Sequence, residues 1–346
     1  MLYQTQNPHG GDIYGTEVLL DFSANTNPFG TPKGVLDAIC GALPDIHRYP
    51  DPYCRRLVQT IADFEGVPKE YILCGNGAAD LIYSYCEAVR PKLAVELAPT
   101  FSEYALGLER IACKVERYYL RQENEFELGA DFLPYLTEIK PDAVFLCNPN
   151  NPTGKTIAPS LLEKILTFCT SNGIRLFVDE CFLDLSDCSE SMKAFLAEHP
   201  NLFILKAFTK SYGMAGIRLG YCLCSNYALL ERMSKAVQPW NVSSLAQAAG
   251  IAALQEQAFL RKTNELVALE RQWLKKQLES LGFWVCPSSA NYLLFKGSAC
   301  LHAKLKEKKI AIRNCDNYYG LGQGWYRIAV RLHEENEALI RAIKEV

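Results

Sequence analysis

The sequence predicts an α/β fold, with a large domain on a mainly parallel central sheet and a smaller α+β domain beside it. Three observations carry that prediction. Short apolar runs succeed one another through the middle of the chain, an amphipathic segment separates two of them, and the pattern changes near residue 240. The runs are "KLAVELAP", "DAVFLCNP", "IRLFVDECF", "NLFILKAF" and "LGYCLCS". Unbroken stretches of aliphatic, aromatic and small residues are what parallel strands buried on both faces require.

Between the second and third runs lies "APSLLEKILTFCTSNG". Pro159 suits a first helical turn, Leu162, Ile165, Leu166 and Cys169 fall on one face, and Gly173 ends the helix. Strand, helix and strand within about thirty residues imply a right-handed crossover and hence a parallel sheet. From Ser243 to Leu281 the pattern is one long, almost unbroken helix, after which "ANYLLF" and "WYRIAVRL" add strand-like runs. The expected division is a large domain over 40–240 and a small one from 1–39 with 241–346, joined by that helix. The stretches "HGGD" and "SANTNPFGTP" should wrap the first forty residues against the small domain.

Composition bounds the function. With 346 residues, 49% of them hydrophobic and 22% charged, the chain can bury a sizeable core. A net charge of −3 gives no basic field for nucleic acid. "RQWLKKQ" and "HAKLKEKKI" alternate with apolar residues at helical spacing and read as solvated helix faces. No apolar run is long enough to span a bilayer, and "MLYQTQNPHGGD" lacks a signal-peptide core, so neither membrane contact nor export is expected. Fourteen cysteines occur without a C-x-x-C, and none of the five histidines pairs with one at ligand spacing. Reduced, buried thiols in a cytoplasmic protein and no metal site are therefore expected.

The chemistry-bearing residues sit at the ends of the strand-like runs. "CGNGAAD" (74–80) is a glycine turn between a strand and a helix, either a phosphate cradle or simply a tight turn. It is not a dinucleotide fingerprint, because G-x-G-x-x-G is absent. "NPNNPTGK" (148–155) follows a buried strand, and its asparagines either hold a ligand oxygen or cap the loop. In "FVDE", Asp179 is either a cap or ion-pair partner, or the holder of a positively charged ligand nitrogen. "FTKSYGMAGIRLGY" then adds Lys210 and Arg218. An anion cradle, an asparagine, a carboxylate, a lysine and an arginine at successive strand ends would all be used by a pyridine ring bearing a phosphate and a phenolic oxygen. That ring is pyridoxal 5′-phosphate. Arg218 would grip the phosphate as a fork, Lys210 would carry the cofactor covalently, and Asp179 would keep the ring nitrogen protonated.

At these residues the chain resembles the fold-type I pyridoxal-phosphate aminotransferases of class I/II, over nearly its whole length. The motifs "GNGAAD", "APTFSEY", "NPNNPTG", "VDECF", "FTKSYGMAGIRLGY" and "RIAVR" fall in the family's order. The resemblance implies that Ala78, Ala79, Thr209 and Arg218 hold the cofactor phosphate, that Phe101 stacks on the ring, and that Asn151 bonds its phenolic oxygen. It also implies that Tyr49, in "HRYPD", reaches the neighbouring subunit's cofactor in a homodimer, and that Arg327 clamps the substrate carboxylate. Phe182 departs from the family's usual tyrosine, and Ala207 from its usual hydroxyl residue.

Within the family, "HGGDI", "LLDFSANTNPFGTP", "DECFLD", "QPWNVSSLAQAAG" and "IRNCDNYYGLGQGWYRIAVR" are most similar to the subgroup that decarboxylates L-threonine O-3-phosphate in cobalamin biosynthesis. That resemblance implies a small phosphorylated amino-acid substrate, with His9, Asn25 and Arg313 around its phosphate end. Histidinol-phosphate aminotransferases share most other motifs, so transamination with 2-oxoglutarate is the alternative. A non-catalytic, DNA-binding regulator would need an appended domain, for which the extent of the resemblance leaves no expected room.

Overall fold

The computed structural model describes residues 9–15, 17–187 and 190–346. Among them the strands are β1 (Leu20–Asp21), β2 (Ile72–Gly75), β3 (Leu93–Ala98), β4 (Lys114–Tyr119), β5 (Ala143–Cys147), β6 (Arg175–Asp179) and β7 (Leu202–Ala207). They continue as β8 (Gly220–Leu223), β9 (Trp284–Val285), β10 (Tyr292–Lys296), β11 (Ile310–Ala311), β12 (Arg313–Asn314) and β13 (Trp325–Ala329).

A seven-stranded sheet of order β2-β8-β7-β6-β5-β3-β4 forms the large domain. Period-two alternation along its central strands sorts side chains to two faces. Val144, Leu146, Leu176, Val178, Leu202 and Ile204 join one core, where Leu162, Ile165, Leu166 and Cys169 of the helix Pro159–Ser171 cover them. Phe145, Phe177, Phe203 and Leu205 join the other, under Leu81, Ile82 and Tyr85 of the helix Gly77–Val89. Register puts Phe145 beside Phe177 and Phe177 beside Phe203. Their rings stack at 4.8 and 4.9 Å, and Tyr85 lies 4.5 Å from Phe203. Such aromatic contacts add about 0.5–1.5 kcal/mol each beyond area burial. They seat the helix whose first turn borders the site.

The smaller domain is a four-stranded antiparallel sheet of order β12-β13-β10-β9. Its core holds Leu293, Phe295, Ile328 and Leu339 together with Phe22. Residues 20–22 of the early chain reach it, because β1 pairs in parallel with β11 and Phe22 joins its core, whereas the helix Lys33–Ala42 packs with the large core through Val35. Among the described residues no helix is long and apolar enough to cross a membrane. The thirteen described cysteines are free thiols, and only Cys40 and Cys300 are exposed.

Two expectations about the elements are corrected. "LGYCLCS" is not a parallel strand: β8 runs antiparallel to both β2 and β7. The connection from β7 contains only the four-residue helix Phe208–Ser211 and another short turn, too little for a crossover back over the sheet. The long helix is also broken, into Ser244–Ala253 and Gln257–Ser280. The first part packs on the large core through Ala246, Ala249 and Ala253, and the second runs from Leu260 in that core to Leu274 and Leu278 in the small one.

Candidate active site

The carboxyl ends of β2, β5, β6 and β7 lie along one edge of the large sheet, and the antiparallel β8 begins there. Gly75 is level with Gly220, and Gly220 with Ala207. Arg218, just before β8, therefore arrives at an edge that the other site residues reach from strand carboxyl ends. A cavity at this edge is lined by Ala78, Ala79, Phe101, Asn151, Asp179, Thr209, Lys210 and Arg218. His9, Asn25, Arg313 and Arg327 line the same cavity. Of the residues singled out in the sequence, only Tyr49 is absent from it; Tyr49 is exposed and stacks on Trp240 at 4.5 Å.

Lys210 sits in the short helix after β7, half-buried, with its ammonium 5.7 Å from the Phe182 ring. Burial, followed by the positive charges of Arg327 and Arg218, pushes its pKa down to about 8. An amine so placed is a usable nucleophile and proton carrier near neutrality. Asp179 is buried at the end of β6, accepting hydrogen bonds from the Tyr104 hydroxyl at 2.6 Å and the Cys181 amide at 2.8 Å. Burial raises its pKa, and these hydrogen bonds and Lys210 oppose the rise.

The start of the helix Gly77–Val89 is shaped by close approach. Gly77 has φ +80°, and a Cβ there would come within 2.5 Å of Arg218 Nη2. A Cβ on Gly220 would meet the Ala78 amide nitrogen at 2.9 Å. Glycine at these two positions leaves room for the Arg218 guanidinium and the start of β8 to approach the first turn of the helix. Arg218 is exposed and has φ 60°, a strained backbone of the kind that gathers at functional sites.

The other side of the cavity is built largely from distant segments. Arg327, on β13, donates from Nη1 to Asn151 Oδ1 and from Nη2 to the Ser23 carbonyl at 2.9 Å. Its Nε is buried without a partner, as are both polar atoms of the Asn25 amide. Arg313 donates from Nη2 to Asn317 Oδ1 at 2.7 Å. His9 shares a 2.6 Å hydrogen bond with Glu103 Oε1. The loop carrying Asn25 is tied to the lysine's helix, since the Asn27 amide donates to the Lys210 carbonyl at 3.0 Å.

Matching against known families settles the kinship. The aminotransferase class I and II family profile matches residues 17–343. The chain belongs to that family. It is 36% identical to the threonine-phosphate decarboxylase of Salmonella typhimurium, across 98% of this chain and 96% of that one. It is 30% identical to histidinol-phosphate aminotransferase 1 of Psychrobacter arcticus, across 96% of this chain and 89% of that one. Its fold superposes on the crystal structure of the histidinol-phosphate aminotransferase from Clostridium acetobutylicum with a TM-score of 0.88 at 27% identity, covering 94% and 98% of the two chains.

Aminotransferases of class I and II use pyridoxal 5′-phosphate, and the residues present fit it. The glycine-enabled approach of Arg218 to helix amides suits a phosphate, the buried Asp179 suits a protonated ring nitrogen, and the amine of Lys210 faces the same space. Phe182 brings no hydroxyl to the ring's oxygen and instead packs edge-on against Tyr292 at 4.9 Å. Several lining or supporting residues carried no sequence assignment: Ser23, Cys147, Cys181, Tyr318, and the two anchors Glu103 and Tyr104. "APTFSEY" contains both anchors, but only Phe101 in it had been given a role.

Proposed function

We propose that the protein catalyses the pyridoxal-phosphate-dependent decarboxylation of L-threonine O-3-phosphate to (R)-1-amino-2-propanol O-phosphate, for cobalamin biosynthesis. One observation carries this reading. Arg313, Arg327, His9 and the unpartnered Asn25 amide converge with Lys210 on a single cavity. That donor set suits an amino acid anionic at both ends. The similarity to a decarboxylase named for threonine phosphate supports the same choice.

When bound, the cofactor supplies an electron-withdrawing ring joined to the substrate nitrogen. Ala78, Ala79, Thr209 and Arg218 would hold its phosphate, Phe101 would cover its face, Asn151 would bond its phenolic oxygen, and Asp179 would keep its nitrogen protonated. Arg327 binds the substrate carboxylate, while Arg313, His9 and Asn25 bind the phosphate end. A substrate gripped at both ends cannot rotate freely about Cα, and in this reading the orientation so imposed exposes the bond to the carboxylate. Carbon dioxide departs with that bond, and Lys210 delivers a proton from Nζ to Cα. The net change replaces a carboxylate by hydrogen.

The same reading includes a cytoplasmic homodimer in which Tyr49 serves the partner's site, and the domain boundaries 40–240 against 1–39 with 241–346. The exposed Leu43, Ile46, Tyr49, Tyr53 and Trp240 support an interface there. Transamination of histidinol phosphate or a similar phosphorylated amine is the second reading, favoured by the Psychrobacter similarity. Incubating the pure holoenzyme with each substrate, with and without 2-oxoglutarate, separates the two. Carbon dioxide release without an amino acceptor is expected. Glutamate formation without carbon dioxide overturns the decarboxylase.

A further inference from the structure

Glu103 lies beside the cavity without lining it, yet it holds one of the residues that do. Its side chain is nearly buried, at 12% exposure, and both carboxylate oxygens are committed to the protein. Oε1 takes the His9 Nε2 hydrogen bond at 2.6 Å, and Oε2 accepts the Tyr83 hydroxyl at 2.7 Å. The Arg110 guanidinium stands 4.1 Å over the Tyr83 ring, closing the far side. The His9 hydrogen bond draws the Glu103 carboxyl below the usual carboxylate range, with burial opposing.

His9 has no helix or strand of its own to hold it. The residues around it, 9–13, form only bends and irregular chain, secured by the Gly11 amide on Ser23 Oγ at 2.8 Å. A carboxylate that binds one ring nitrogen fixes both the position and the plane of an imidazole. An apolar ring and a carboxylate then frame His9 from two directions, since Phe101 lies 5.6 Å away.

We propose that Glu103 is a positioning residue that sets the site's preference for phosphorylated substrates, by holding His9 in place at the cavity. This rests on the reading that His9 meets the substrate phosphate. In Glu103→Gln a neutral hydrogen bond replaces a charge-assisted one, so the His9 ring is held less firmly and phosphate binding should weaken by about tenfold.

The test is a phosphorus NMR titration of the holoenzyme with inorganic phosphate, alongside steady-state kinetics with L-threonine O-3-phosphate and with L-threonine. Phosphate should bind Glu103→Gln about tenfold more weakly than wild type, His9→Gln should show a similar loss, and the double variant should lose no more than either. In Glu103→Gln the KM for L-threonine O-3-phosphate should rise several-fold more than that for L-threonine, while kcat falls less. Equal phosphate binding by wild type and Glu103→Gln, additive losses in the double variant, or no saturable binding by wild type would each overturn the proposal. Should Glu103→Gln not fold, Glu103→Asp puts the same question by withdrawing the charge one methylene. A wild-type enzyme that binds phosphate but releases no carbon dioxide refutes the decarboxylase alone, because the phosphate arm still reads Glu103.

Discussion

Replacing Gly77 by alanine separates the cofactor site from the fold. The new Cβ would stand 2.5 Å from Arg218 Nη2 and 2.9 Å from its Cζ. The atoms that must yield are the far end of a flexible side chain, so the guanidinium moves and the backbone stays. An alanine held at φ +80° costs about 1–2 kcal/mol, and the stability of the apoprotein should fall by about that much. The displaced fork loses charge-assisted hydrogen bonds worth about 1.5–3 kcal/mol, which corresponds to a rise of roughly 10- to 150-fold in the cofactor Kd. Absorbance titration of the apoprotein with pyridoxal phosphate measures the second quantity, and denaturant unfolding measures the first. Arg218→Ala should weaken the cofactor to a similar degree, with no further loss when Gly77→Ala is added. Unchanged cofactor affinity in Gly77→Ala would refute the argument that this glycine exists to let Arg218 reach the cradle.

Four other outcomes are expected. Covalent capture of the cofactor by the apoprotein should speed up as pH rises towards about 8 and level off above it, because the Lys210 amine must shed its proton to react and its pKa is lowered to about 8; a rate still climbing steeply at pH 10 contradicts that ordering. Borohydride reduction followed by mass spectrometry should place the pyridoxyl group on Lys210, and Lys210→Ala should lose both the adduct and turnover. Arg327→Ala should weaken carboxylate-bearing substrates by about tenfold or more while leaving the affinity for the decarboxylated product nearly unchanged, and equal losses would remove its assigned role. For Tyr49, mixing an inactive Tyr49→Ala preparation with Lys210→Ala should restore activity, since one site of each mixed dimer then carries neither defect; no recovery after subunit exchange would place Tyr49 outside the site.

How far the sequence reached can be judged residue by residue. The strands β3, β5, β6 and β7 were legible because each is buried on both faces and so runs apolar without interruption. The helix Pro159–Ser171 was legible because its start and apolar face follow local rules. Cavity-lining residues such as Asp179, Lys210 and Ala78 were legible because open α/β sheets gather such residues where strands end, and strand ends are marked by turn chemistry.

What remained hidden depended on partners far apart in the chain. Nothing near residue 220 reveals that β8 turns back between β2 and β7, although that reversal is what delivers Arg218 to the edge. The break at residues 254–256 separates a helix that packs on the large core from one that runs on to the small core, a division set by packing rather than by local pattern. His9 and Glu103 stand 94 positions apart, and Tyr104 and Asp179 stand 75 apart. Periodicity and capping act over a few residues, so the sequence by itself determined most of the elements and the residues that stand at their ends. Which charge meets which across the cavity was decided only when burial brought separate segments together, because such pairings leave no local pattern to read.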